Sequence, residues 1–215
     1  MISRLKQVFE DILKNNNIQK EDMDEYSHMK YPKIFTLMDF YVDQYEIEKY
    51  GHLMIMHTKT KMGMELLTAS FMPSTGINLP YLLIDAMTMK SKRCIFVEYY
   101  DCGNSNLNDE KLKEVFEKYK HLPNYQEKEN WYISERTPYS LIKSGSEDEL
   151  INMVKDSLNA YLGSIETSVY DEAYLPKLES FRDMMITKGN PSSKTLKMLL
   201  KDKAEDFFKD VIMPL

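Results

Sequence analysis

The sequence predicts an α+β fold in which helices pack on one antiparallel sheet. Residues 35–99 hold a succession of short apolar runs rich in β-branched and aromatic residues, with turn signals between them. The connections between these runs are too short for the dozen or so residues that a parallel crossover needs, so neighbouring strands should pair antiparallel. Helical periodicity takes over in the second half of the chain, and strands followed by helices favour α+β over alternating α/β.

The elements follow in order. Residues 2–15 read as a helix, because Ile2, Leu5, Val8, Phe9, Ile12 and Leu13 recur near period 3.6 and Asn15-Asn16-Asn17 ends the pattern. Arg4, Lys6, Glu10, Asp11 and Lys14 make this an amphipathic surface helix rather than the apolar stretch of a signal peptide. Residues 22–32 are polar and Tyr-rich and read as loop. Strands are expected at residues 35–42, 46–49, 52–58, 64–71, 81–89 and 93–99. Lys61-Met62-Gly63 and Ser91-Lys92 turn the chain, and a loop through Pro73 and Gly76 reaches Pro80. Asn108 reads as the cap of a helix ending at Tyr119. Residues 131–143 read as one or two further strands. Ser146 caps a helix with Leu150, Val154, Leu158 and Leu162 on one face, and Glu149 completes a capping box. A helix is expected over residues 172–186, with Pro176 near its start, and residues 192–211 read as helical with a break near Asp202. No linker or internal repeat divides the chain, so residues 1–215 are expected to form one domain.

Composition narrows the function. The chain is 43% hydrophobic and 29% charged, which is ordinary for a globular protein. No run approaches the roughly 18 consecutive apolar residues of a membrane span. The net charge of -6 disfavours nucleic-acid binding as the main role. Cys94 and Cys102 supply neither a disulfide framework nor a Cys-x-x-Cys motif, and a reducing cytoplasm is the expected compartment. Both cysteines read as small buried hydrophobes. Sixteen Met and fifteen Tyr suit a roomy pocket for a flat, polarizable ligand, and equally an adaptable core.

Motif chemistry is sparse. His28, His52, His57 and His121 fall in no metal-ligand spacing, so no metal is expected. No nucleophile elbow, phosphate loop or dinucleotide fingerprint occurs, and the seven glycines are scattered singly. Asp85 is the informative residue. In the strand over residues 81–89, period 2 puts Tyr81, Leu83, Asp85, Met87 and Met89 on one face. A carboxylate in such a row is costly unless paired or protonated, and burial would make it a proton donor near neutral pH. The competing reading is a structural Asp accepting local hydrogen bonds.

The stretch Phe71-Met72-Pro73-Ser74-Thr75-Gly76-Ile77-Asn78-Leu79-Pro80-Tyr81-Leu82-Leu83-Ile84-Asp85 resembles the ferredoxin-dependent bilin reductases, in which a strand ends in an aromatic and Pro, a loop reaches Leu-Pro, and the next strand presents the catalytic Asp. Trp131 before a polar segment, and Asn190, Lys194-Thr195, Met198-Leu199 and residues 204–213, resemble the family's later pattern, with Asn190 two residues farther from Lys194 than the family spacing. The likeness covers roughly residues 50–215. It implies a three-layer α/β/α sandwich with a central antiparallel sheet. It implies a biliverdin-like linear tetrapyrrole bound between sheet and C-terminal helices, and no bound cofactor. Electrons would come singly from ferredoxin or flavodoxin, and Asp85 would be the proton donor to a bilin radical. Lys194 and Lys197 would hold the propionates beside Thr195.

Met56 and Thr68 occupy positions where some members carry Glu and His, and both are assigned to the substrate-binding surface. His57 should point to the other face. The loss of Glu and His leaves open a tetrapyrrole-binding protein without chemistry, or a reductase of another open-chain tetrapyrrole. Lys90, Lys92 and Arg93 form a basic turn that would dock an acidic ferredoxin, or simply a solvated hairpin tip.

Overall fold

The computed structural model describes residues 1–21, 25–32, 36–89, 92–190 and 192–215. Its centre is a seven-stranded antiparallel meander with spatial order equal to chain order: β1 His28–Tyr31, β2 Met38–Ile47, β3 Gly51–Thr60, β4 Met64–Met72, β5 Tyr81–Met89, β6 Lys92–Tyr100 and β7 Leu141–Ser144. Helices α1 Ile2–Asn15, α2 Glu110–Tyr119 and α3 Glu147–Ile165 cover one face. Helices α4 Leu175–Thr187, α5 Ser193–Leu200 and α6 Ala204–Phe207, with a closing π-turn at Phe208–Ile212, lie on the other. The α+β sandwich expected from the sequence is therefore present.

Strand alternation divides the core into two layers. Leu53, Ile55, Leu67, Ala69, Leu82, Ile84, Ile95 and Val97 pack against α1–α3. Phe40, Val42, Met54, Met56, Met72, Tyr81, Leu83 and Tyr100 face α4–α6. The short hairpins depend on glycine at two points. Gly63 takes φ +76 in the β3–β4 turn. At Gly51, a Cβ would lie 2.1 Å from the Met72 carbonyl oxygen, so only glycine permits the approach of β3 to the end of β4.

The chain departs from the sequence reading in four places. Residues 28–31 form β1 rather than loop, because a four-residue edge strand is too short and polar to show periodicity. The two strands expected over residues 35–42 and 46–49 are one, β2. Asp43 and Gln44 interrupt the apolar pattern but not the ladder: Asp43 pairs with Lys20 and Gln44 is buried. Residues 131–143 are mostly not strand. They form a 3-10 turn, Trp131–Glu135, and then the short β7. Finally, α2 is entered through Asp109. The Asn108 amide instead donates to Ser164 O at 2.9 Å, closing the end of α3.

Other expectations hold. The Ser146/Glu149 capping box opens α3 with both reciprocal hydrogen bonds, the kind of cap worth about 1 kcal/mol. Helix breaks at residues 201–203 separate α5 from α6. Both cysteines are buried and free. Among the described residues no helix is long and apolar enough to cross a membrane.

Candidate functional site

β5 is held firmly before it presents Asp85. Tyr161 of α3 donates to Pro80 O at 2.7 Å, and Tyr174 donates to Leu79 O at 2.9 Å from the opposite layer. The loop into β5 is thus pinned from both sides by buried phenols. The antiparallel register then sets Val42, Met56, Thr68, Asp85 and Phe96 in one row across β2 to β6. Thr68 therefore stands beside Asp85 on the neighbouring strand, and Met56 stands beside Thr68 one strand farther. His57 alternates to the other face, where it is buried near Lys6 of α1.

A cavity of about 510 Å3 opens over this row, within the range common for small-molecule sites. Met38, Met56, Met64 and Met87 line it beside Phe40 and Leu66, while Tyr125 and Tyr132 stand on its far wall. Met29, Met54, Met72, Met153, Met185 and Met213 fill the cores instead. The methionine enrichment thus serves both uses the composition left open.

Asp85 is half-buried, at the floor of the cavity. Its Oδ1 accepts a hydrogen bond of 2.5 Å from Thr68 Oγ1. Burial pushes its pKa up, and the Thr68 bond offsets only part of that rise. A second small void of about 20 Å3 lies against the same carboxyl, bordered by Tyr81, Asn190 and Ser192. Asn190 and Ser192 fix the α4–α5 connection there: Asn190 Nδ2 donates to Met185 O at 3.0 Å, and its Oδ1 accepts from Ser192 N at 2.9 Å.

Sequence reasoning missed a charged cluster on the cavity wall. Glu98 of β6 is 2% exposed. It pairs with Arg136 and accepts a hydrogen bond of 3.0 Å from the Tyr100 hydroxyl. Arg136 also holds Glu127 with two parallel hydrogen bonds of 2.5 and 2.8 Å. Burial raises the Glu98 pKa to about 7; Arg136 opposes the rise and Asp85 adds to it. The signal for Glu98 was present, since Cys94, Phe96, Glu98 and Tyr100 share one face of β6 just as Asp85 shares its face of β5. Arg136 carried no such signal, because it reaches Glu98 only through the 3-10 turn before it.

The C-terminal lysines are placed differently from the expectation. Thr195 and Leu196 of α5 border the cavity, but Lys194 and Lys197 are exposed and do not line it. Lys197 edges a separate groove with Glu205. The cavity's own cations, among the described residues, are Arg136 and Lys128, the latter exposed at its rim. Of the basic turn, Lys90 lies outside the described residues. Lys92 is exposed at the start of β6, whereas Arg93 sits near Glu147 at 3.5 Å, on the α1–α3 side.

Chemically, the cavity offers an apolar, methionine-rich bed with two carboxyl groups whose pKa values burial raises. It suits proton donation to a flat ligand. It does not suit thiolate chemistry, because burial pushes the nearby Cys94 thiol up to about 11. Glu21, Glu46 and His52 bring three ligand-type atoms within 4.8 Å of one another. They come from separate segments, so no motif spacing could have shown the group. Burial lowers the His52 pKa to about 4, leaving a neutral imidazole.

An antiparallel meander covered by helices on both faces, with an acid at the centre of one face, is a fold represented among solved structures. The chain is similar to phytochromobilin synthase from tomato, crystallised in complex with biliverdin, with a TM-score of 0.76 and 16% sequence identity. The match covers 96% of this chain and 82% of that one. At that identity the likeness is one of fold. No protein-family model matches the chain, and no curated protein matches it.

Proposed function

We propose that the chain, as one domain, reduces a linear tetrapyrrole of the biliverdin type with electrons delivered singly by ferredoxin or flavodoxin. Asp85 donates a proton to the reduced pigment. The observation that carries this reading is Asp85 itself, a carboxyl of raised pKa at the floor of a methionine-lined cavity of about 510 Å3. The biliverdin-bound fold relative supports the choice of ligand class. A flat conjugated ligand lying on the Met56–Thr68–Asp85 row would expose its underside to Asp85. Burial favours the protonated form of that acid, and the proton is given up as the ligand gains charge from an electron. Lys128, exposed at the rim, is a cation within the cavity lining for a ligand carboxylate, alongside Lys194 and Lys197 as the candidates the likeness gives.

A second reading has its own observation. Met56 and Thr68 supply neither carboxylate nor imidazole beside Asp85. A protein that holds the pigment without reducing it would need neither. The two readings separate in one experiment. Purified protein is mixed with biliverdin, and the absorption spectrum is followed anaerobically as a reduced ferredoxin system is added. Bilin reduction predicts a shifted band that then bleaches and moves to shorter wavelength. A shifted band that stays put supports the binding protein, and no shift at all removes biliverdin as the ligand.

A further inference from the structure

Reducing one double bond consumes two electrons and two protons, and Asp85 accounts for one proton. Besides Asp85, the carboxyls lining the cavity among the described residues are Glu98 and Glu127. Arg136 is their shared buried cation, its side chain only 7% exposed. Asp85, Glu98 and Glu127 share the pocket with one buried cation, Arg136, while Lys128 stands in solvent at the rim, and buried charge without compensation is costly. The arrangement is electroneutral when one carboxylate pairs with Arg136 and the other two carboxyls hold protons. Glu127 takes the ionic place, because Arg136 grips it with two parallel bonds and it is the less buried of Arg136's two partners. The protons then rest on Asp85 and Glu98.

We propose that Glu98 is the second acid of this cavity, donating the second proton of the reduction, with Arg136 as its positioning residue. The proposal rests on the reduction reading above. Glu98 is suited to give up its proton once charge arrives. The carboxylate it leaves is already beside Arg136 and already accepts the Tyr100 hydroxyl. In the reaction, one electron from the ferredoxin-type donor and the Asp85 proton form the first new bond to hydrogen. A second electron and the Glu98 proton form the second. The π bond is lost, two donor molecules are each oxidised by one electron, and water reprotonates both carboxylates. The groups that set the Glu98 proton are Asp85 and Tyr81 from β5, Tyr100 from its own strand, Arg136 and Tyr132 from the 3-10 turn region, and Glu127 from the connection before it.

The first test needs no pigment. Infrared pH titration of the unliganded protein should show a protonated-carboxyl band that is missing in Glu98→Gln and disappears with a midpoint near pH 7 in the wild type. Glu98→Gln keeps the side-chain shape and leaves Arg136 paired with Glu127, so the variant should fold. The second test is anaerobic single turnover with biliverdin and reduced ferredoxin. Glu98→Gln should form the first reduced intermediate normally and slow its decay about 100-fold. Glu127→Gln frees Arg136 for Glu98 and should move the alkaline limb of the second step down by about one pH unit. A purely structural Glu98 would leave that limb in place. The proposal is overturned if Glu98→Gln completes two-electron reduction at the wild-type rate, or if no Glu98 carboxyl band exists. If the wild type leaves biliverdin unreduced, the reduction reading falls, and the infrared titration alone decides whether Glu98 stores a proton.

Discussion

The two faces of the central sheet are written in the same strands and do opposite work. On β4, Leu67 is 0% exposed against α1–α3, and its neighbour Thr68 points into the cavity and binds Asp85. On β5, Leu82, Ile84 and Ala86 enter the helical layer, while Tyr81, Leu83 and Asp85 face the other way. One face is mostly aliphatic on its strands, with a few aromatics such as Phe71 and Tyr99, and is closely packed. The other carries methionine, phenols, two protonatable carboxyls and an arginine around open space. The period-2 alternation of a strand lets one segment fix the fold and the chemistry separately, with single-residue resolution.

Substitutions on the two faces should therefore have separable effects. The largest on stability belongs to the packed face: Leu67→Ala should cost about 2–5 kcal/mol in denaturant unfolding, with pigment binding retained by the folded fraction. A loss of binding with little loss of stability would erase the distinction between the faces.

On the cavity face the expected signature is a pH dependence. The folded-state pKa of Glu98 is raised to about 7 from 4.5. Its contribution to stability is thus fully present below about pH 4.5 and lost as pH rises through 7. Glu98→Gln removes that loss, so its stability relative to the wild type should grow between those pH values. The comparison must be made against the wild type, because His52 acts in the opposite sense. With its pKa lowered to about 4, it contributes stability above its unfolded value of 6.5 that is lost as pH falls through 4. A flat difference between Glu98→Gln and wild type would show that Glu98 is ionised throughout.

Thr68→Val, next to Leu67, should change stability by only about 1 kcal/mol. It should raise the Asp85 pKa further by removing the one bond that lowers it, visible as an upward shift in the alkaline limb of reduction. The smallest effect is expected at the rim. Lys92→Glu should slow reduction at low salt alone, because an exposed charge acts on encounter and is screened as salt rises.

The legibility of the sequence followed the same division. Asp85 could be found because alternation isolates one carboxylate in an apolar row, and Met56 and Thr68 fell into line with it through the register. Glu98 obeys the same rule one strand later. Its partner Arg136 was illegible, since a 3-10 turn rich in Trp, Tyr and Ile reads as strand from propensity alone. Motif likeness alone points to Lys194 and Lys197. The helix itself puts Leu196 inward and leaves both lysines in solvent, a facing that its apolar positions could have shown. β1 offered no periodicity to read.

Proton delivery from Asp85 to a reduced pigment is read in the anaerobic reaction of the biliverdin-bound Asp85→Asn variant with reduced ferredoxin, followed by absorption and electron paramagnetic resonance. The variant should keep an intact fold and normal pigment binding and accumulate a radical while onward reduction falls by about 10²–10⁴-fold. Full turnover at the wild-type rate would remove Asp85 as the proton donor.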